Sequence, residues 1–157
     1  MAGALELLRT IARAPLRTMR YSDMQDLGTN TWRQLDDLVD SGALLRLAHG
    51  VYTAPPDGRD GREWRPGLES AGLAVATARH GDRHAILMGI GAARHWGAIP
   101  RAIGSTTIAV PTAGHRPVTV AAGQIHFVQR DLERVEAVLE QTELGTALFT
   151  TPRLSNR

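Results

Sequence analysis

The chain has 157 residues, a formal net charge of +2 and 43% apolar residues, enough to bury the core of one domain or of two small ones. Low net charge beside ordinary hydrophobicity excludes a chain that is disordered throughout. The absence of cysteine excludes disulfide scaffolds, thiol nucleophiles and cysteine zinc sites.

No apolar run reaches the roughly 18 residues of a membrane span. The N-terminal stretch is broken by Glu6 and Arg9, so no signal peptide is expected and a cytoplasmic location is. All 18 basic residues are arginine. GC-rich coding accounts for that. So does planar, bidentate recognition of phosphate or guanine.

In chain order, Leu5, Leu8 and Ile11/Ala12 recur at helical spacing, and Pro15 ends that helix. Ser22 with Gln25 reads as a capping box opening a short helix that stops at Gly28. Thr29 or Asn30 caps a third helix whose buried face is Trp32, Leu35, Leu38 and Val39, and Gly42 ends it. Leu45 and Leu47 alternate along a strand, Ala48-His49-Gly50 makes a turn, and Val51-Tyr52-Thr53 returns. Helix, helix–turn–helix and β-hairpin is the element order of a winged helix, with glycine in the turn where that motif wants it.

Residues 57–67, DGRDGREWRPG, read as a linker or long loop. Beyond it come a helix over 69–79, a short apolar stretch over 85–89 and a helix over 90–96 closed by Gly97. Strands follow at 106–110, 118–121 and 125–128, then a helix over 132–141 and a strand over 147–151. The expectation is an α+β chain in three parts. A winged helix-turn-helix occupies 1–56 and a linker 57–67. A small mixed α/β domain with a mostly antiparallel sheet occupies 68–157.

The third helix carries the strongest functional signal. Thr29, Asn30, Thr31, Arg33 and Gln34 lie at its N-terminus or off its apolar face, where a recognition helix meets base edges. Arg33 suits guanine and Gln34 adenine. Arg17, Arg20, Arg46 and His49 are read as phosphate contacts, the last two from the wing. Asp36, Asp37 and Asp40 argue for a protein-binding helix instead, and residues 1–66 balance nine arginines against nine acids.

Other motifs are incomplete. Gly89-Ile90-Gly91-Ala92-Ala93-Arg94 resembles a dinucleotide loop with its third glycine replaced by Arg94, and no acid follows about 20 residues later. His80 and His84 have helical zinc spacing, but Gly81 and Asp82 between them favour a turn. None of Ser22, Ser41, Ser70, Ser105 and Ser155 sits in a nucleophile elbow. Asp131, Glu133, Glu136, Glu140 and Glu143 follow the spacing of a solvated helical face. No cofactor, metal or catalytic constellation is therefore expected.

The run Leu27-Gly28, Leu35, Leu38, Gly42, Leu44 and His49-Gly50-Val51-Tyr52 resembles the N-terminal winged helix of the AbiEi family of antitoxins. MGIGAARHWG over 88–97 is similar to that family's helix of small residues followed by an aromatic or His and Gly. Phe127-Val128, Arg130-Asp131, Thr142-Glu143-Leu144-Gly145 and Thr150-Thr151-Pro152 extend the resemblance over nearly the whole chain. The resemblance implies the antitoxin of a type IV toxin–antitoxin pair. Such a protein represses its own operon by binding inverted-repeat DNA and antagonises a nucleotidyltransferase-like toxin through the region after the winged helix. It does so indirectly, by contact or by a modification such as phosphorylation.

After Thr-Thr-Pro the family continues with an acidic residue and an apolar helix. This chain reads Arg153-Leu154-Ser155-Asn156-Arg157, so a member short at its C-terminus is expected. The expected partners are operator DNA, the toxin and a second copy on the inverted repeat, since one winged helix binds weakly. The alternatives are a transcriptional regulator without a toxin and an enzyme that modifies its partner.

Overall fold

A computed structural model describes residues 3–97 and 104–151. The end of the Thr150-Thr151-Pro152 motif and residues 153–157 lie outside the described residues. Helix α1 (Gly3–Arg13) buries Leu7 and Ile11, four residues apart, with Leu8 and Ala12 at the margin. Leu5, expected on that face, is 58% exposed. Two residues before Leu7 it points the other way round the helix.

Leu16 and Arg17 then both take left-handed conformations, φ 53° and 54°, at about 1–2 kcal/mol each. Burial of Leu16 offsets part of that cost. So do 2.8 Å hydrogen bonds from Arg17 Nε to the Ala54 carbonyl and from Nη2 to the Pro55 carbonyl. The turn delivers strand β1 (Thr18–Arg20), which is not legible in the sequence because three residues carry no period.

The segment read as a capped helix from Ser22 to Gly28 is instead two 3₁₀ turns, Tyr21–Asp23 and Gln25–Leu27, with no capping side chain. Met24 is its one buried anchor, too little apolar surface to hold a longer helix. Helix α2 (Thr31–Asp40) starts after Asn30, which is left-handed at φ 59° and does not cap it.

The buried face of α2 is Thr31 and Leu35, with Leu38 and Val39 half-buried. Trp32 was expected there but is 52% exposed. Thr31 takes the place one turn before Leu35, its hydroxyl donating a 3.0 Å bond to the Gly28 carbonyl. Strands β2 (Leu45–Ala48) and β3 (Val51–Thr53) form the expected hairpin. β1 pairs antiparallel with the far side of β3, giving the order β1-β3-β2. Leu7, Ile11, Met24, Leu35, Leu44, Tyr52 and Ala54 make the first core.

Residues 57–67 are turns docked on this unit. Gly61 N–H donates a 2.8 Å bond to the Gly42 carbonyl. A Cβ at Gly61 would lie 2.7 Å from the Leu44 carbonyl oxygen. Trp64 is half-buried against the second core.

Helix α3 (Leu68–His80) follows, then β4 (Ile86–Met88), α4 (Gly89–His95), β5 (Ser105–Val110), β6 (Val118–Val120) and β7 (Gly123–Gln129). The helix expected over 132–141 is instead a 3₁₀ turn at Leu132–Arg134 and strand β8 (Ala137–Thr142), paired antiparallel with β9 (Gly145–Thr150). The tight turn decides it. Thr142 Oγ1 donates to the Gly145 carbonyl at 2.7 Å and accepts from Leu144 N–H at 3.0 Å, with Gly145 at φ 139°. The acids of this segment therefore form no helical face.

The six-stranded sheet has the order β6-β7-β5-β4-β9-β8. Its β6–β7, β4–β5 and β8–β9 pairs are antiparallel, but β5–β7 and β4–β9 are parallel, so the α+β chain carries a mixed sheet.

Helix α3 lies between the two sheets. It packs on β1 and β2 on one side and on β4, β5 and β7 on the other, and its residues from Ser70 to Thr77 are all buried. The second core joins Leu73, Val75, Leu87, Ile108, Ile125 and Phe149 to Leu16, Leu45, Leu47 and Val51 of the first block. Gly72 permits the close approach, since a Cβ there would meet Ile108 Cδ1 and Thr106 Cγ2 at 3.1 Å. Gly72→Leu should overpack this seam and lower stability by about 1–3 kcal/mol in urea unfolding. An unchanged midpoint would show that the seam has slack.

Candidate nucleic-acid interface

The N-terminus of α2 presents three uncommitted polar side chains. Thr29 and Asn30 are exposed just before it, and Arg33 is exposed in its first turn. The Arg33 guanidinium lies 5.3 Å from the centroid of the Trp32 ring and has no carboxylate partner among the described residues. Stacking of this kind holds an arginine extended while leaving its donors free.

Thr31 and Gln34 do not share this face. Thr31 is buried. Gln34 is half-buried and turns toward α1, where it lines a depression with Gly3, Glu6, Leu7, Thr10 and Leu27.

The arginines read as phosphate contacts have intramolecular work. Arg17 holds the Ala54 and Pro55 carbonyls. Arg20 donates to both oxygens of Asp23 at 3.0 and 3.2 Å. Arg46, exposed on β2, donates to Asp36 at 2.9 Å and to the Tyr52 hydroxyl at 3.4 Å. These contacts, Tyr52 first and Asp36 after it, hold its guanidinium pKa above the ordinary value. His49 sits exposed at the hairpin turn with no partner among the described residues. The candidate site is therefore Thr29 and Asn30 just before α2 and Arg33 in its first turn, with His49 on the hairpin. Asp37 and Asp40 stay exposed farther along α2.

No protein-family model matches the chain, and no curated protein matches it.

Elsewhere the fold brings together residues that the sequence keeps apart. Arg94 pairs with Glu69 and donates to the Ser105 carbonyl at 3.0 Å, its side chain only 10% exposed. The small residues of the Gly89–Arg94 run thus serve close packing of α4 on β5, with Gly91 against Thr106. His95 lies 3.0 Å from Glu140 through Nε2 and edge-on to Trp96. Trp96 Nε1 donates to the Thr150 carbonyl at 2.8 Å. A cavity of about 290 Å³ opens beside Glu69, Ser70, Arg94, His95 and Glu143. A wider groove of about 910 Å³ runs past Ile86 and Leu148 between Arg83, Arg130 and Asp131.

The His80/His84 pair is not a helical metal site. Helix α3 ends at His80, Gly81 turns away at φ 108°, and His84 Nδ1 lies 2.9 Å from the Asp82 carbonyl. No cluster of three or more His, Asp or Glu side chains placed to hold a metal ion occurs among the described residues. His80 instead stands edge-on to His115, with ring centroids 4.9 Å apart.

Burial, then the neighbouring His115, Arg79, Arg20 and His84, push the His80 imidazole below its ordinary 6.5. Unfolded, His80 takes up a proton near that ordinary value; folded, it takes one up only at lower pH. Its neutral form thus favours the folded chain at neutral pH, and that contribution fades as pH falls through the unfolded value. His80→Gln should flatten the loss of stability between about pH 7 and 5.5 in phosphate-free buffer, measured by urea unfolding. Parallel profiles for the two proteins would contradict this.

Proposed function

We propose that residues 1–56 are a winged helix-turn-helix that binds DNA, within an AbiEi-type antitoxin that represses its own operon and neutralises a nucleotidyltransferase-like toxin. Helix α2 is the recognition helix, and the β2–β3 turn is the wing. The observation that carries the DNA reading is the split between the two sides of α2. Thr31 and Leu35 lock one side into the core, while Asn30 and Arg33 stand free at the N-terminal end of the other.

A recognition helix enters the major groove with that end foremost. Arg33 then pairs with guanine O6 and N7, and Asn30 reaches an adjacent base edge. No side chain caps α2, so its first N–H groups are open to a phosphate oxygen. Asp37 and Asp40 repel phosphate and keep the rest of the helix out of the groove. His49 reaches the backbone from the wing. Arg17 and Arg46 act here as scaffold, which narrows the contact set read from the sequence, and Arg20, bonded to Asp23, adds only its charge from beside the wing. Two copies on an inverted repeat supply the affinity that one small module lacks.

Fluorescence anisotropy with the duplex upstream of the gene and a scrambled control, across a salt series, tests the DNA reading. The chain should prefer its own duplex, and Arg33→Ala should cost about 1–3 kcal/mol and relax the preference. Gln34→Ala should leave both unchanged. Equal, weak binding to the two duplexes would overturn the reading. The toxin half is tested by co-expression with an adjacent nucleotidyltransferase-like reading frame. Growth should be restored by the chain; failure to restore it would leave a regulator without a toxin.

A further inference from the structure

Several elements bring basic side chains within reach of one another at one corner of the molecule. Arg20 closes β1, Arg79 and His80 close α3, His84 follows in the next turn, and His115 comes from the loop between β5 and β6. His80 and His115 stand edge to face, and Arg79 lies 5.3 Å over the Phe127 ring with no carboxylate partner among the described residues. The acids close by are Asp23, engaged by Arg20, and Asp82, which lies 3.8 Å from Arg83. Every charged neighbour that shifts His80 is basic, and burial with Arg20 beside it lowers the Arg79 pKa as well.

Like charges gathered in this way repel one another unless an anion joins them. The carbonyl end of α3 carries roughly half a negative charge, which steadies the group. It gives no acceptor to His80 Nε2, which is buried and makes no hydrogen bond.

We propose that Arg20, Arg79, His80 and His115 form a binding corner for a phosphate oxyanion, tightened when His80 takes up a proton. The two arginines supply fixed charge. His80 adds charge when it takes up a proton, and His115 has Nδ1 left for the oxyanion, its Nε2 lying 2.7 Å from Thr112 Oγ1. The corner adjoins the wing, because Arg20 is paired with Val51 across β1 and β3 and Tyr21 N–H donates a 2.7 Å bond to the Gly50 carbonyl. That location makes the DNA backbone the source of the phosphate. The choice of source rests on the DNA-binding reading, whereas the oxyanion site itself does not. A phosphodiester does not titrate between pH 6 and 8, so a pH dependence of duplex binding belongs to the protein.

The full chain is titrated with inorganic phosphate and, separately, with the upstream duplex, while the imidazole proton signals of His80 and His115 are followed by NMR. His80→Gln and His115→Gln assign those signals. Both probes should move them. Duplex affinity should rise about tenfold from pH 8 to pH 6, the linkage expected of an average of about half a proton taken up on binding over that range. Arg79→Gln combined with His115→Gln, checked for an unchanged melting profile, should remove most of that rise. His115→Gln alone should reduce it, which keeps the test open should the double variant fold poorly.

Signals unmoved by phosphate and by a duplex that binds would overturn the corner and leave the DNA reading standing. Full pH dependence retained in the double variant would overturn it too. Signals moved by phosphate with no duplex bound would sustain the corner, assign it to free phosphate and sink the DNA reading alone.

Discussion

Everything else in this fold depends on helix α3 being buried on both sides. Its middle residues, Ala71-Gly72-Leu73-Ala74-Val75-Ala76, are small or apolar at every position, so no face is left for water. The helix can persist only between two apolar surfaces. The first sheet offers Leu45, Leu47 and Val51, and the second offers Leu87, Ile108 and Ile125. Neither sheet would keep that surface covered if the other were removed. Gly72 sets how closely the seam shuts, since even a Cβ there would press on Ile108 and Thr106 of β5 at 3.1 Å.

This seam fixes the relation between the two proposed sites. The first sheet uses one face for the core beneath α1 and α2 and the other for α3. The β2–β3 turn, β1 and the end of α3 therefore share one corner. Arg20 and His80 belong to different blocks, yet each lies within the other's electrostatic reach. The outer end of α2 stays free because its inner side is held by Leu35 and by the Thr31 hydroxyl. Rigid backing of this kind is what lets a short helix present a few side chains at fixed spacing.

Features with a local cause were legible in the sequence. The helical run after residue 67, the small-residue helix closed by Gly97, the strands around 108, 119 and 126 and the hairpin at Gly50 all appear where their periods and turn residues put them. Features with a distant cause were not legible. β1 exists because β3 lies beside it. β8 is a strand because β9 pairs with it, against the helical spacing of its own residues. Trp32 is outside because Thr31 can bond the Gly28 carbonyl. The candidate site followed the same rule. The exposure of Arg33, Asn30 and His49 followed from helix position and turn chemistry. The engagement of Arg17 with residues 54 and 55, of Arg46 with Asp36 and of Gln34 with α1 required the folded chain.

The central claim is that α3 makes the two blocks one cooperative body. Native-state hydrogen exchange across a mild denaturant series tests it most directly, comparing the amides of Tyr52 in β3, Val75 in α3 and Ile108 in β5. The account predicts that all three exchange through a single opening with a common free energy and a common denaturant dependence. An opening that releases Tyr52 while Val75 and Ile108 stay protected would contradict it, and the first block would then be an independent unit tethered to the second.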